Sequence, residues 1–359
     1  MFPDFFGEHT MPQSHTSSST NFYTEITGAS FEHVINPDGS AYKFNPAWRC
    51  TGFSDTTNPR IPTRDSNYVF DRALLQDLLI FLMYPQGTAL WLTGPTGCGK
   101  TSAVMQVAAR LNWPVVDLTL NNRFEFTDLK GQWGLTQDAN QVQPTMKYIY
   151  NALPMAMQNG WILVLNEVDL ASPGELSALN DVIEGRNLLV AENKGEAIRP
   201  HPMFRLIVTG NSNGAGDMSG LYQGVQQQNV AAMDRYRMLK VDYPSEEIEK
   251  GILKNVAPSI PAALRRRMCK FASEMRKAFV GSSKNVASIS VPFSTRSLVN
   301  WANTVQFYQS DKVPLKKALE LFFLNKLSDS ECEAANSIAL AVFGEAWNGT
   351  EASHTSTAP

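Results

Sequence analysis

The sequence predicts an α/β protein: a five-stranded, mostly parallel sheet covered by helices, followed by an all-helical region. Three observations carry this expectation. Between residues 69 and 243, short apolar runs alternate with segments of helical spacing. After Pro244 the strand-like runs stop, and the remaining apolar stretches repeat with helical periodicity. Between the first core strand and the helix that follows it stands Gly94-Pro95-Thr96-Gly97-Cys98-Gly99-Lys100-Thr101, a glycine-rich turn in the position of a phosphate-binding loop.

The elements follow in order. Residues 1–20 read as a disordered tail, because Gln13 to Thr20 has almost no apolar content to offset its ordering entropy. Residues 21–68 mix aromatics with Asn-Pro, Pro-Asp-Gly and Asn-Pro-Arg turn signals, and predict an N-terminal extension of short strands and loops. Asp71 to Met83 has helical spacing at Ala73, Leu74, Leu78, Leu79 and Leu82. Ala89 to Thr93 is the first core strand, and Ser102 to Leu111 is a helix. Val115 to Leu120, Trp161 to Leu165, Arg205 to Thr209 and Arg237 to Val241 are the other four strands, so residues 69–243 form the α/β core. Ser172-Pro173-Gly174-Glu175 predicts a helix start with Ser172 as N-cap, Pro173 at the first position and Glu175 reaching back. Helices over Ser245–Lys254, Pro261–Phe279, Ser294–Gln309, Val313–Leu327 and Ser330–Phe343 make residues 244–347 a helical lid with C-terminal helices. Residues 348–359 are a second polar tail.

Composition excludes several classes. The 359 residues are 43% hydrophobic, enough for a sizeable core, and the net charge of −3 gives no global footprint for nucleic acid. Charged residues reach only 18%, against roughly 25% in an average soluble protein, which suggests a surface partly covered by partners. No apolar stretch approaches a membrane span, and the start, with Asp4 and no basic segment, is not a secretory signal. Cys50, Cys98, Cys269 and Cys332 are widely scattered, which fits a reducing cytoplasm rather than a disulfide or zinc framework. His201, between two prolines, reads as a loop residue.

The glycine-rich turn carries the chemistry. Its glycines let the backbone curl so that N–H groups face phosphate oxygens, and the following helix N-terminus adds partial positive charge. The candidate nucleotide cradle is Gly94, Pro95, Thr96, Gly97, Cys98, Gly99, Lys100, Thr101 and Ser102, with Lys100 reaching the outer phosphates and Thr101 binding Mg²⁺. Cys98 reads as a small loop residue, with a redox role as the alternative. A phosphate-loop ATPase also needs an acidic strand end near this turn. The run Trp161 to Leu165 ends instead in Asn166-Glu167. Asn166 keeps an oxygen acceptor for the metal but lacks the carboxylate's charge, and Glu167 is the candidate base for the attacking water. Asp169 reads either as a loop or capping residue or as compensation for Asn166.

This ordered set resembles the AAA+ ATPases of the dynein-related group, which includes MoxR, NorQ/CbbQ and CobS. The resemblance runs from about Ile61 to Ala302. It rests on the phosphate loop, Val107 to Pro114, the Asn166-Glu167 turn, Arg199 to Asn213, Met233 to Tyr236 and Ser294 to Leu298. It implies a P-loop AAA+ core followed by an all-helical lid, ATP and Mg²⁺ as ligands, and a homo-oligomeric ring, typically a hexamer. Asn211 matches sensor 1, which orients the water, with Asn213 competing. Arg235 matches the arginine finger acting on a neighbouring subunit, with Arg237 as the alternative. Arg296 matches sensor 2, carried by the lid. Gly131 to Met146 resembles the hairpin insertion facing the ring pore, with Phe124, Phe126 and Trp133 as contact candidates or, alternatively, buried aromatics. Gly185 to Pro202 resembles a second hairpin. The departure at Asn166 bears on hydrolysis and metal affinity.

The resemblance implies an ATP-driven ring that remodels or activates a protein partner, often one with a von Willebrand factor A domain, in some cases for metal insertion. Asn166 motivates a different class, a nucleotide-binding scaffold with little turnover. A DNA-processing ATPase has only Arg265-Arg266-Arg267 as support, and consecutive helical charges point in different directions, so nucleic acid is not the expected partner.

Overall fold

The computed structural model describes residues 23–136, 144–216, 223–279, 289–308 and 313–349. The tail 1–20, most of 348–359, and residues 137–143 of the expected insertion lie outside the described residues.

The N-terminal extension supplies β1 (Tyr23–Thr27), β2 (Val34–Ile35) and β3 (Arg49–Phe53), and β4 (Phe70–Asp71) leads into α1 (Arg72–Met83). The core then runs β5 (Ala89–Thr93), α2 (Lys100–Arg110), β6 (Val115–Thr119), α3 (Thr127–Lys130), β7 (Gly131–Thr136), β8 (Thr145–Tyr150), α4 (Ala152–Asn159) and β9 (Ile162–Asn166). Next come α5 (Pro173–Ser177), α6 (Asn180–Ile183), β10 (Leu188–Val190), β11 (Glu196–Ile198), β12 (Arg205–Gly210), α7 (Val230–Met233) and β13 (Tyr236–Lys240). The chain ends in α8 (Glu246–Val256), α9 (Ala262–Phe279), α10 (Thr295–Val305), α11 (Pro314–Phe322) and α12 (Asp329–Phe343).

Five strands form the central sheet in the order β13-β5-β12-β9-β6, and all four pairings are parallel. A sheet covered on both faces needs apolar residues of both parities, and the strands supply them. Leu90, Leu92, Ile162, Val164 and Ile207 pack on one face with α1 and α2. Trp91, Leu163, Leu165, Leu206 and Val208 pack on the other with α4, α5 and α6. The extension is not a separate body: Phe31, Val34 and Cys50 join the first of these clusters, and the Phe53 ring lies 5.6 Å from that of Trp113. A third cluster, centred on Phe271, Phe293, Trp301 and Phe343, is confined to the lid helices.

The expected strands and helices appear within one to a few residues. Two insertions are antiparallel hairpins, β7 with β8 and β10 with β11. On the first, Trp133, Leu135, Met146 and Ile149 are exposed. Phe124 is buried in the second cluster and Phe126 is half-buried against it, the alternative reading of those two aromatics. One capping expectation fails. Glu175 does not reach back to its own helix start; its Oε2 accepts from the backbone N–H of Phe126 at 2.5 Å, because the α3 loop packs directly over it.

Candidate functional site

In a parallel sheet every strand ends at the same edge, and loops leaving adjacent strands in opposite directions open a crevice there. β5 ends at Thr93 and runs into the glycine-rich turn. Gly94, Gly97 and Gly99 all take positive φ values of 153°, 70° and 103°. A Cβ on Gly94 would lie 1.8 Å from the Val241 carbonyl oxygen, and one on Gly97 would lie 2.5 Å from Ser294 Cβ. Glycine is therefore required by backbone angle and by space at both positions. Lys100 Nζ donates to the carbonyls of Gly94 at 2.6 Å and Pro95 at 3.0 Å, folding across the mouth of the loop, and to Asn211 Oδ1 at 3.3 Å. Burial holds the Lys100 ammonium below its ordinary pKa, opposed by nearby groups that include Asp169 and Glu167. Cys98 is buried with its thiol against the Val241 carbonyl at 3.5 Å, and burial pushes its pKa up. That is the packing residue expected, not a reactive thiol.

β9 delivers the next group. Thr101 Oγ1 donates to Asn166 Oδ1 at 2.6 Å, and Thr209 Oγ1 on β12 donates to the same oxygen at 3.0 Å. Glu167 follows in a left-handed conformation, φ 55° and ψ 39°, with an exposed carboxylate that has no hydrogen-bond partner among the described residues. Asp169 is fully buried and its Oδ2 accepts from the backbone N–H groups of Asn211 at 2.7 Å and Ser212 at 2.9 Å. Of its two sequence readings, the structure shows the capping role. Asn213 spends its side chain on its own loop, accepting from Ala215 N–H at 3.2 Å, whereas Asn211 faces Lys100.

The lid closes the crevice. A cavity of about 610 Å³ lies between core and lid, lined by Gly97, Cys98, Gly99, Thr101 and Ser102, by Asp117, and by apolar groups that include Val69, Val241, Ile248, Ile252 and Val299. Arg296 lines it from the start of α10, its Cβ within 3.8 Å of the Cβ position at Gly97. The apolar wall escaped sequence reasoning, because Ile248, Ile252 and Val299 carry the same helical spacing as ordinary packing residues. Thr101 Oγ1 and Asn166 Oδ1 beside the loop are hard oxygen donors. They fit magnesium, which takes oxygen ligands and keeps water and phosphate in its shell. Among the described residues no cluster of three or more His, Cys, Asp or Glu could form a separate metal cage.

Arg235 lies elsewhere. It precedes β13, whose first residue Tyr236 pairs with Ala89, the first residue of β5. Arg235 is therefore at the sheet edge opposite the glycine-rich turn. Its Nε donates to Glu184 Oε1 at 2.5 Å, and the side chain remains 30% exposed. Arg237 is held by Pro85 O and Gln86 Oε1, both at 2.9 Å. Arg265 caps carbonyls of residues 257, 258 and 260 while Arg267 turns toward Phe343 O, so the basic run does not form one track. His201 sits in a turn, its Nδ1 accepting from Met203 N–H.

Comparison with known proteins agrees with this arrangement. The model of the AAA domain (dynein-related subfamily) matches residues 89–225, and that of the CbbQ/NirQ/NorQ C-terminal region matches residues 249–338. The aerobic cobaltochelatase subunit CobS of Sinorhizobium sp is 31% identical over 277 residues, covering 76% of this chain and 79% of that protein. The denitrification regulatory protein NirQ of Stutzerimonas stutzeri is 27% identical, covering 60% of this chain and 74% of its own. Protein CbbQ of Hydrogenophilus thermoluteolus is 28% identical, covering 54% and 67%. Two successive family models, a phosphate loop at the edge of a parallel sheet and a helical lid over it place the chain in the dynein-related AAA+ ATPase family, among its CobS-, NirQ- and CbbQ-like members.

Proposed function

We propose that this chain is a magnesium-dependent ATPase that works as a cytoplasmic homo-oligomeric ring of six subunits and remodels or activates a protein partner. The observation that carries the reading is a split. Thr101 and Arg296 line the crevice, Thr101 is bonded to Asn166 and Lys100 to Asn211 beside it, and Glu167 follows Asn166 with its carboxylate exposed, while Arg235 stands at the opposite sheet edge, the side from which it would meet a neighbouring subunit's nucleotide. Lys100 leaves the loop carbonyls for the outer phosphates. Glu167 accepts the proton of the attacking water, and Asn211 orients that water. Arg296 meets the terminal phosphate from the lid. Thr101 and Asn166 would hold the magnesium ion that accompanies the nucleotide, and that ion would supply charge neutralisation at the phosphates. Arg235 exchanges Glu184 for the neighbour's nucleotide when the ring forms. The likeness to a cobaltochelatase subunit favours metal insertion as the partner's task, and a von Willebrand factor A domain protein is the partner to look for first.

Mixing variants tests the split. Arg235→Ala and Glu167→Gln proteins should each bind ATP and each hydrolyse it poorly. Co-assembled, they should regain measurable turnover, because some interfaces pair an intact Glu167 with an intact Arg235. Absence of any recovery, with mixed oligomers verified, would defeat the trans reading. Asn166 favours a second reading, a slow-turnover scaffold. Turnover insensitive to Glu167→Gln would select it.

A further inference from the structure

Asn166 occupies a strand end where a carboxylate is expected, and the structure places a carboxylate beside it. Its Nδ2 donates to Asp117 Oδ1 at 2.5 Å and to the Leu118 carbonyl at 3.4 Å. Its Oδ1 accepts from the Thr101 and Thr209 hydroxyls. An amide has two donors and two acceptor sites, and all four are used. Both groups facing Nδ2 are acceptors only, so the amide cannot be flipped, and its oxygen is fixed toward Thr101. Asp117 belongs to β6, the strand next to β9, and it lines the same cavity as Thr101. A carboxylate at position 166 would face both Asp117 and the Leu118 carbonyl with lone pairs alone.

We propose that Asp117 and Asn166 divide one carboxylate's work. Asp117 is a positioning residue that locks the Asn166 oxygen toward Thr101 and supplies the negative charge that position 166 lacks. Charge and metal-facing oxygen are thus on neighbouring strands instead of one side chain. The inference rests on the magnesium-nucleotide reading of the cavity.

The test is an exchange cycle of four full-length proteins: wild type, Asp117→Asn, Asn166→Asp, and the double exchange. Each is titrated with a fluorescent ATP analogue with and without Mg²⁺, and each is unfolded without nucleotide. Asp117→Asn should lose about tenfold or more of the Mg²⁺-dependent gain in affinity, with Mg²⁺-free binding little changed. Asn166→Asp, which puts the ordinary acidic residue back at the strand end, should instead weaken Mg²⁺-dependent binding and lower the nucleotide-free unfolding midpoint, because two carboxylates then share a hydrogen-bond distance. The double exchange should recover both. Asn166→Asp performing as well as wild type while Asp117 is retained would overturn the proposal, as would Asp117→Asn leaving the Mg²⁺ dependence intact. Failure of the wild type to bind the analogue at all would overturn the nucleotide reading instead. The unfolding cycle would still judge the pairing by whether the two substitutions are non-additive.

Discussion

Asp169 offers the sharpest test of how the sheet holds the Asn211 loop. The side chain is fully buried, and one oxygen takes both backbone N–H groups of the loop after β12, from Asn211 and Ser212. In Asp169→Ala those two donors lose their acceptor inside the protein. An unsatisfied buried donor costs about 1–3 kcal/mol, and partial hydration of the space left behind reduces the sum, so the loss is about 2–4 kcal/mol. Asp169→Asn keeps an oxygen for the two N–H groups but weakens bonds that were charge-assisted, and it should lose about half as much. Function should fall further than stability. Asn211 would drift from Lys100 Nζ, and a displacement near 1 Å of a positioning group costs about 10²-fold in rate. Urea unfolding of the nucleotide-free protein reads the first effect as a lowered midpoint at unchanged slope. Steady-state hydrolysis at saturating Mg-ATP reads the second, while nucleotide affinity and its Mg²⁺ dependence stay near wild type. If Asp169→Ala were within 0.5 kcal/mol of wild type, or if it removed the Mg²⁺ dependence of binding, the carboxylate would not be the brace described above.

Two further predictions concern the lid. Glu249 is fully buried, grips Arg276 through both oxygens at 2.6 and 3.0 Å, and accepts from Thr295 Oγ1 at 2.8 Å, one residue before Arg296. Glu249→Ala leaves the Arg276 guanidinium unpaired and should destabilise by about 3–5 kcal/mol in denaturant titration; a loss below about 1 kcal/mol would contradict the pair's role. Glu331 caps α12, and hydrogen bonds from Ser290 and Ser328 hold its carboxyl down at about 2. A depressed folded pKa gives stability that is complete above the unfolded value of 4.5 and is lost as pH falls toward about 2. The stability gap between wild type and Glu331→Gln should therefore be present at neutral pH and shrink progressively below pH 4.5, and a gap that widened there would refute the assignment.

The sheet was legible because its signal is local. Runs such as Ile162 to Leu165 bury residues of both parities, so no alternation was needed to mark them. The glycine-rich turn was equally legible, since φ values above zero demand glycine at fixed spacing. What depends on register between distant strands was not. Nothing near Asp117 announces that it faces Asn166; their contact follows from β6 lying beside β9, and the same is true of Glu175 under the Phe126 loop. The apolar cavity wall was hidden for another reason. Residues that will touch a ligand and residues that will touch a neighbouring helix obey one helical period.

Asn166, Glu167 and Asp169 also show why one short turn carries three different tasks. β9 is buried to its last residue, so the residue after it must leave the sheet at once. The chain does this by taking Glu167 into the left-handed region, which costs a non-glycine residue of order 1–2 kcal/mol. The Leu170 N–H then closes on the Glu167 carbonyl at 3.0 Å, forming a single tight turn. Such a turn reverses the side-chain direction between positions 167 and 169. The first carboxylate faces solvent at the crevice, and the second is driven into the core beneath the Asn211 loop. The two N–H bonds that Asp169 receives there offset the backbone strain, and they tie the turn after β9 to the loop after β12. Glycine at 167 would relieve the strain and lose the carboxylate. An extended backbone at 167 would keep the carboxylate and leave Asp169 on the wrong side of the sheet. The strained conformation at Glu167 is thus the geometric condition for having an exposed carboxylate and a buried brace two residues apart.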